Sequence, residues 1–268
     1  TRLVMAEIGR RLDYAWRVLA TGFGFLTFTL MGLLFRFAAC PLLMLFIRNP
    51  RRRELGARRV VQVSFAFFIG LMQALGPLRL TVKGREKLRQ PGLLICPSHP
   101  TLIDVVILMS MIRNANCLVK AKLLDSFALR APIVTSGYIA NDSGPDLINA
   151  CAESLAARDT LIIFPEGTRT TPGVPPHLKH GAAAAALAAR HDVTPVRITC
   201  EPPALMKGIH WYTIPPRRMQ ISVTVCDPIP IGPFLTVEAA EGRPKAVRRL
   251  NEALAAQLFP TNSDHRHE

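Results

Sequence analysis

Ile95-Cys96-Pro97-Ser98-His99-Pro100-Thr101-Leu102-Ile103-Asp104 is the stretch on which the reading of this chain turns. An apolar run stops at a histidine, and a carboxylate stands five positions later at the head of a second apolar run. The first run has the character of a buried strand and the second that of a helix. That spacing lets the imidazole and the carboxylate meet across a strand-to-helix turn. In such a pair the carboxylate fixes the ring tautomer, and the far nitrogen is left able to take a proton from a hydroxyl. Taken alone, the two residues also fit a plainer reading, a structural histidine beside a helix-capping aspartate.

Working outward, short apolar runs alternate with helix-like stretches after Pro77. Strands are predicted at 78–82, 93–96, 117–120, 133–139, 160–164, 193–200 and 219–225, with short helices at 102–112, 123–129, 145–157 and 182–190. The alternation predicts an α/β domain over 78–260, with a mixed, largely parallel sheet flanked by helices. In such sheets the functional loops collect at the carboxyl ends of strands. His99 follows one predicted strand, and Phe164-Pro165-Glu166-Gly167-Thr168-Arg169 follows another, so both loops are expected on one edge. In the second loop Gly167 permits close backbone approach, Thr168 offers a hydroxyl, and Arg169 offers a fork suited to phosphate or carboxylate. Glu166 is suited to accept from substrate hydroxyls or to hold Arg169. A Pro-Glu-Gly turn with a surface arginine is the plainer alternative. The Ala-rich 181–189 stretch reads as a close-packed helix.

The amino-terminal third differs in kind. Residues 18–35 are almost uninterruptedly apolar; Arg36 breaks the run, which resumes over 37–47 with Pro41 inside it. As a helix the first part spans about 27 Å, a little less than a hydrocarbon core of roughly 30 Å. Arg2, Arg10, Arg11 and Arg17 precede it, and Arg48, Arg51, Arg52, Arg53, Arg58 and Arg59 follow it. The richer following flank favours a body on the cytoplasmic side. The basic leading flank equally fits a re-entrant hairpin with both ends inside. A second apolar segment, 60–75, stops at Gly76-Pro77 and fits either an interfacial helix or an ordinary core helix. Residues 1–77 are therefore expected to form a membrane-associated helical region, seated in the inner (cytoplasmic) membrane with the α/β domain facing the cytoplasm. The tail, 261–268, is expected to be a solvated, disordered end.

Composition agrees with a membrane partner. Of 268 residues 49% are hydrophobic, yet the formal net charge is +14. A chain both apolar and basic suits an anionic partner at an apolar boundary: membrane lipid, an acidic carrier protein or a phosphorylated substrate. Nucleic acid is not expected, since aromatics are only 7% and the basic residues form no recognition motif. Six scattered cysteines without a CxxC pair suggest a reducing compartment and no zinc site. His177 and His180 are spaced HxxH without a third ligand, so no metal is expected.

Together the two loops resemble the glycerolipid acyltransferase family, the PlsC-like lysophosphatidic acid acyltransferases. His99 to Asp104 matches the family's HxxxxD motif, and Phe164 to Arg169 matches its FPEGTR block without a gap. Val82-Lys83-Gly84-Arg85-Glu86-Lys87-Leu88 is similar to the strand and GxExL turn before the first loop, and Lys120 sits where the family carries a lysine. Lys179-His180-Gly181 and Val193-Thr194-Pro195-Val196 resemble later blocks, so the similarity runs from 78 to 225.

The resemblance implies direct acyl transfer, without a cofactor, from an acyl carrier protein or coenzyme A thioester to the hydroxyl of a lyso-lipid such as lysophosphatidic acid. His99 would be the general base and Asp104 its orienter, with Glu166, Gly167, Thr168, Arg169 and Lys120 binding substrate. Ser98, beside the histidine, is not expected to be a nucleophile. One block departs from the pattern: Gly137-Tyr138-Ile139-Ala140-Asn141-Asp142-Ser143 ends in serine where the family carries an arginine for the acceptor's phosphate. Losing one charged contact weakens phosphate binding by roughly 1.5–3 kcal/mol. The alternatives are therefore the same chemistry on a non-phosphate acceptor (an amino-acid lyso-lipid or a specialised polyene or lipid product), or a non-catalytic lipid- or carrier-binding relative. Lys120, Lys122 and Arg130 are candidates to replace the missing charge.

Overall fold

The structure, a computed structural model, describes residues 2–141, 145–210 and 212–260. Ser143 and the 261–268 tail lie outside the described residues. The chain begins with helix α1 (Arg2–Leu34), a π-helical turn (Phe35–Ala39) and α2 (Cys40–Phe46), and returns as α3 (Pro50–Leu75). The wide turn lies just ahead of Pro41, whose ring cannot sit in an undisturbed helix interior without displacing a backbone bond. At the reversal Asn49 caps α3 by accepting from the Arg52 backbone N–H at 3.0 Å, and Pro50 occupies the first turn. Phe28 of α1 stacks on Phe65 and meets Phe68 edge-on, at centroid distances of 5.8 and 5.4 Å. Near the open end the Trp16 indole donates to the Leu75 carbonyl at 2.8 Å. These contacts make the leader a hairpin.

The hairpin does not stand off from the body. Phe68, Ile69 and Met72 of α3 share one core with Ile95, Ile107 and Val223, so α3 is sandwiched between α1 and the α/β domain. Within the 60–75 segment Val61, Phe68, Ile69 and Met72 are buried in this core, whereas Val63 and Phe67 are left exposed. Arg58, fully enclosed on α3, pairs with Asp159 at 2.9 Å and donates to the Ser136 carbonyl at 2.8 Å. The outer face of α1 remains a run of exposed apolar side chains, Leu19, Phe23, Leu26, Leu30 and Leu34.

Behind the hairpin the described strands form a seven-stranded sheet in the order β1-β7-β6-β2-β5-β3-β4. The strands are β1 (Leu78–Lys83), β2 (Leu94–Pro97), β3 (Ala115–Lys120), β4 (Ile139–Asn141), β5 (Thr160–Ile162), β6 (Val193–Glu201) and β7 (Met219–Val225). All pairs are parallel except β6 with β7. Alternation along the strands sorts the core into two layers. Ile95, Cys117 and Ile162 face α3 and α4 (Asp104–Met111), whereas Leu94, Cys96 and Leu161 face α6 (Pro145–Ala156), α7 (Gly181–Ala189) and α9 (Arg243–Leu258). In α7 Ala182, Ala183, Ala185 and Ala186 are all buried, which is the close-packed helix expected from that stretch.

Three local readings differ. The short helix predicted at 123–129 is not formed: a 3-10 turn over Ala121–Asp125 and a further turn take its place. The stretch 133–139, rich in β-branched residues, is not a strand: α5 (Arg130–Thr135) occupies its first half, and β4 begins only at Ile139. The helix ends in a Schellman pattern in which the Gly137 N–H reaches the Val134 carbonyl and the Tyr138 N–H the Ile133 carbonyl, both at 3.1 Å. Gly137 has φ +63° and takes the left-handed position this cap requires. Helices α8 (Gly232–Glu241) and α9 follow the last strand and were not anticipated.

Candidate active site

Strand β2 lies between β5 and β6, with Leu94 opposite both Leu161 and Val193, so the loops that leave β2 and β5 emerge side by side. Ser98 turns away into the sheet: its hydroxyl donates to the Ile198 carbonyl at 3.2 Å and accepts from the Ile198 N–H at 2.8 Å. It serves as a tie between strands. His99 is the next residue and is only 15% exposed. Its Nδ1 lies 2.9 Å from Asp104 Oδ2, and its ring packs against Phe164 with centroids 4.1 Å apart.

Asp104 opens α4 and is wholly enclosed. It accepts from the Thr101 N–H at 2.7 Å and the Thr101 hydroxyl at 2.5 Å, reaching back as a capping-box acid does. An ionised carboxylate only accepts, so Nδ1 carries the proton and Nε2 keeps its lone pair on the cavity side. The five-residue spacing has its physical content here: the four residues from Pro100 to Ile103 make the turn, and the helix N-terminus fixes the acid.

The second loop braces the first. Glu166 is buried, and its Oε1 accepts from the His99 backbone N–H at 2.9 Å and from the Thr170 hydroxyl at 3.0 Å. The Thr170 N–H in turn donates to the His99 carbonyl at 2.7 Å. Glu166 thus positions the histidine backbone and does not clamp Arg169. Gly167 has φ +66°, the left-handed turn that favours glycine, and its missing β-carbon leaves room for the end of the Lys179 side chain. Arg169 spends its Nη1 on two backbone carbonyls, Leu205 at 2.9 Å and Met206 at 3.1 Å. Only part of its fork is left for a ligand.

His99, Gly167, Thr168, Arg169 and Lys120 all line one cavity of about 740 Å³, joined at its mouth by Asn141 and Lys207. The cavity runs inward between Phe25, Phe28 and Met31 of α1 and Phe65, Phe68 and Met72 of α3 to Val106 and Met109 of α4. Its volume is within the roughly 300–1,000 Å³ usual for ligand sites. One end is polar and cationic, and the rest is hydrocarbon. Cys117 also lines it, but burial pushes that thiol, like Cys96, up to about 12, so both are neutral thiols and poor nucleophiles near pH 7. Lys207 was missed from sequence: it lies in an irregular loop after β6 and reaches the mouth because Arg169 and the Leu102 N–H both hold the Leu205 carbonyl.

The acyltransferase family model matches residues 79–199, which include His99, Asp104 and the whole second loop. Over those residues the chain carries an acyltransferase domain. Among solved structures, the chain resembles the 1-acyl-sn-glycerophosphate (LPA) acyltransferase PlsC from Thermotoga maritima, with a TM-score of 0.63 at 15% identity. The likeness covers 95% of this chain and 99% of that one, amino-terminal hairpin included. No curated protein matches in sequence. The acyltransferase fold is thus a PlsC-like one, a mostly parallel sheet with long apolar helices ahead of it.

Proposed function

We propose that this acyltransferase moves a fatty acyl group from a thioester, carried by acyl carrier protein or coenzyme A, to the hydroxyl of a lysophospholipid-like acceptor at the cytoplasmic face of the inner membrane. One observation carries the reading: the free face of the His99 ring sits where a cation-lined mouth meets a hydrocarbon-lined cavity. Nε2 takes the proton of the acceptor hydroxyl as its oxygen attacks the thioester carbonyl. The tetrahedral intermediate collapses, the C–S bond breaks, and the imidazolium returns the proton to the leaving thiolate. Ester and free thiol are the products, and no acyl-enzyme forms. Asp104 holds the ring and stabilises the imidazolium. Each methylene of an acyl chain drawn into the cavity contributes about 0.8 kcal/mol of binding.

Lys120 and Lys207 meet an anionic head group at the mouth, with part of Arg169 beside them. The exposed apolar face of α1 supports seating on a membrane. Because α3 is sandwiched against the body and carries the enclosed Arg58–Asp159 pair, the hairpin is read as lying in the interface rather than crossing the bilayer. A direct test is thiol release from an acyl thioester by the purified enzyme, with and without lysophosphatidic acid. His99→Ala is expected to lower acceptor-dependent release about 10²–10⁴-fold. Near-normal turnover in that variant removes His99 as the base, and release without any acceptor points to a thioesterase.

A further inference from the structure

The segment from Lys120 at the end of β3 to Val134 in α5 carries exposed side chains, Phe127 and Val134 among them, that neither the core nor the catalytic geometry uses. Phe127 and Val134 are 61% and 59% exposed, and Leu123 is 39% exposed. Lys120, Lys122 and Arg130 lie exposed among them, with one acid, Asp125. This apolar and cationic surface is fastened to the hairpin. The Arg36 guanidinium sits 4.1 Å over the Phe127 ring and 5.7 Å from that of Phe37, and donates to the Phe127 carbonyl at 3.0 Å. The Phe37 and Phe127 rings are 6.0 Å apart, and Gly32 of α1 lies directly against Ala128. Arg36, the residue that interrupts the apolar leader, therefore joins the leader's exposed face to the loop.

We infer that the β3–α5 loop together with the start of α5 is a second membrane-contact element, which dips Phe127 and Val134 into the headgroup–acyl boundary of an anionic bilayer beside α1. An arginine stacked on one exposed aromatic ring and close beside another suits that boundary: the rings enter the apolar side, and the weakly hydrated cation stays near phosphate. Lys122 and Arg130, two cations against the one acid Asp125, favour anionic lipid. The exposed apolar surface is continuous with that of α1 through Phe37 and Leu34. The arrangement has a consequence for substrate. Gly32 and Phe35 of the leader and Leu123, Leu129 and Ile133 of the loop region line the same cavity. The seam between them is one wall of that cavity, and seating it on the leaflet lets a lipid chain pass in sideways without crossing water.

The inference rests on the membrane seating proposed above, and the two fail separately. In vesicles of phosphatidylcholine with and without phosphatidylglycerol, a Phe127→Trp enzyme is compared with its parent, using lipids brominated at shallow and deep acyl positions. Extra fluorescence from the introduced indole, quenched by the shallow bromines and shielded from aqueous iodide, is the expected result. Vesicle binding with iodide-accessible fluorescence overturns the inference and leaves the hairpin seating intact; loss of all vesicle binding overturns both. Kinetics give an independent reading. Phe127→Asp with Val134→Asp is expected to lower turnover of a vesicle-borne lyso-lipid about tenfold, while turnover of a water-soluble short-chain acceptor stays within about twofold. Equal losses on both acceptors, or none, count against the loop.

Discussion

Two buried aspartates stand at opposite ends of the same sheet, and each organises a different part of the molecule. Asp104 follows β2 at the carboxyl edge, and its partners are an imidazole and a threonine. Asp159 precedes β5 at the amino edge; it pairs with Arg51 and Arg58 of α3 and accepts from Asn114 at 2.8 Å and Ser154 at 3.1 Å. A carboxylate beside a titratable ring that faces a cavity can take part in proton transfer. One enclosed by guanidinium groups has nothing to exchange and works as a rivet between hairpin and body. Burial alone does not separate the two; the chemistry of the partners does.

The same substitution at each end separates them most sharply. In Asp104→Asn the amide oxygen keeps the Thr101 N–H and His99 Nδ1–H bonds and the NH2 turns to the Thr101 hydroxyl, so the ring stays in place but loses the negative charge that stabilises the imidazolium. Turnover is expected to fall about 10²–10⁴-fold, with the thermal midpoint close to wild type. Asp159→Asn leaves Arg58 enclosed without its countercharge, which costs about 3–5 kcal/mol of stability. The fraction that remains folded should turn over at nearly the normal rate. Denaturant melts beside rates per folded molecule check both, and an Asp159 variant that is stable but inactive breaks the division.

The pH dependence sharpens it. Burial alone would raise the Asp159 carboxyl, but hydrogen bonds from Arg51 and Arg58, the Arg58 charge and the Asn114 amide together hold it below its ordinary value. A carboxyl lowered on folding stabilises fully above its unfolded value, near pH 4, and that contribution fades as the pH falls through the lower folded value. The gap in midpoint between wild type and Asp159→Asn should be largest at neutral pH and close below about pH 4. A gap that stays constant down to pH 3 assigns the loss to packing instead of charge.

The two ends were not equally legible. His99 and Asp104 are close in sequence, so a turn suffices to join them, and spacing alone revealed the pair. Phe164 to Arg169 was legible as a block, yet the work of Glu166 was not, because its bond to the His99 N–H spans 67 positions. Asp159 gave no signal, since its arginine partners looked like the basic flank of an apolar segment. The strand predicted over 133–139 failed because β-branched residues state a preference that packing and a glycine cap overrode. Helix α9 was legible and overlooked: Val247, Leu250, Leu254 and Leu258 recur at helical spacing and are all buried.

The smallest effect concerns how the mouth of the cavity divides its cations. Arg169 carries the fork expected to hold an anion, yet its Nη1 is tied to the Leu205 and Met206 carbonyls. That bond brings Lys207 to the rim, so the arginine acts partly by presenting a lysine. Lys207→Gln is therefore expected to raise the KM for lysophosphatidic acid about two- to fivefold, the scale of an exposed charge pair, with kcat almost unchanged. On a phosphate-free monoacylglycerol the same variant should behave as wild type, because a neutral head group offers the lysine no charge. Initial rates on the two acceptors decide it. An unchanged KM in Lys207→Gln beside a raised one in Arg169→Lys returns the head group to the arginine, and the loop after β6 becomes scaffold alone.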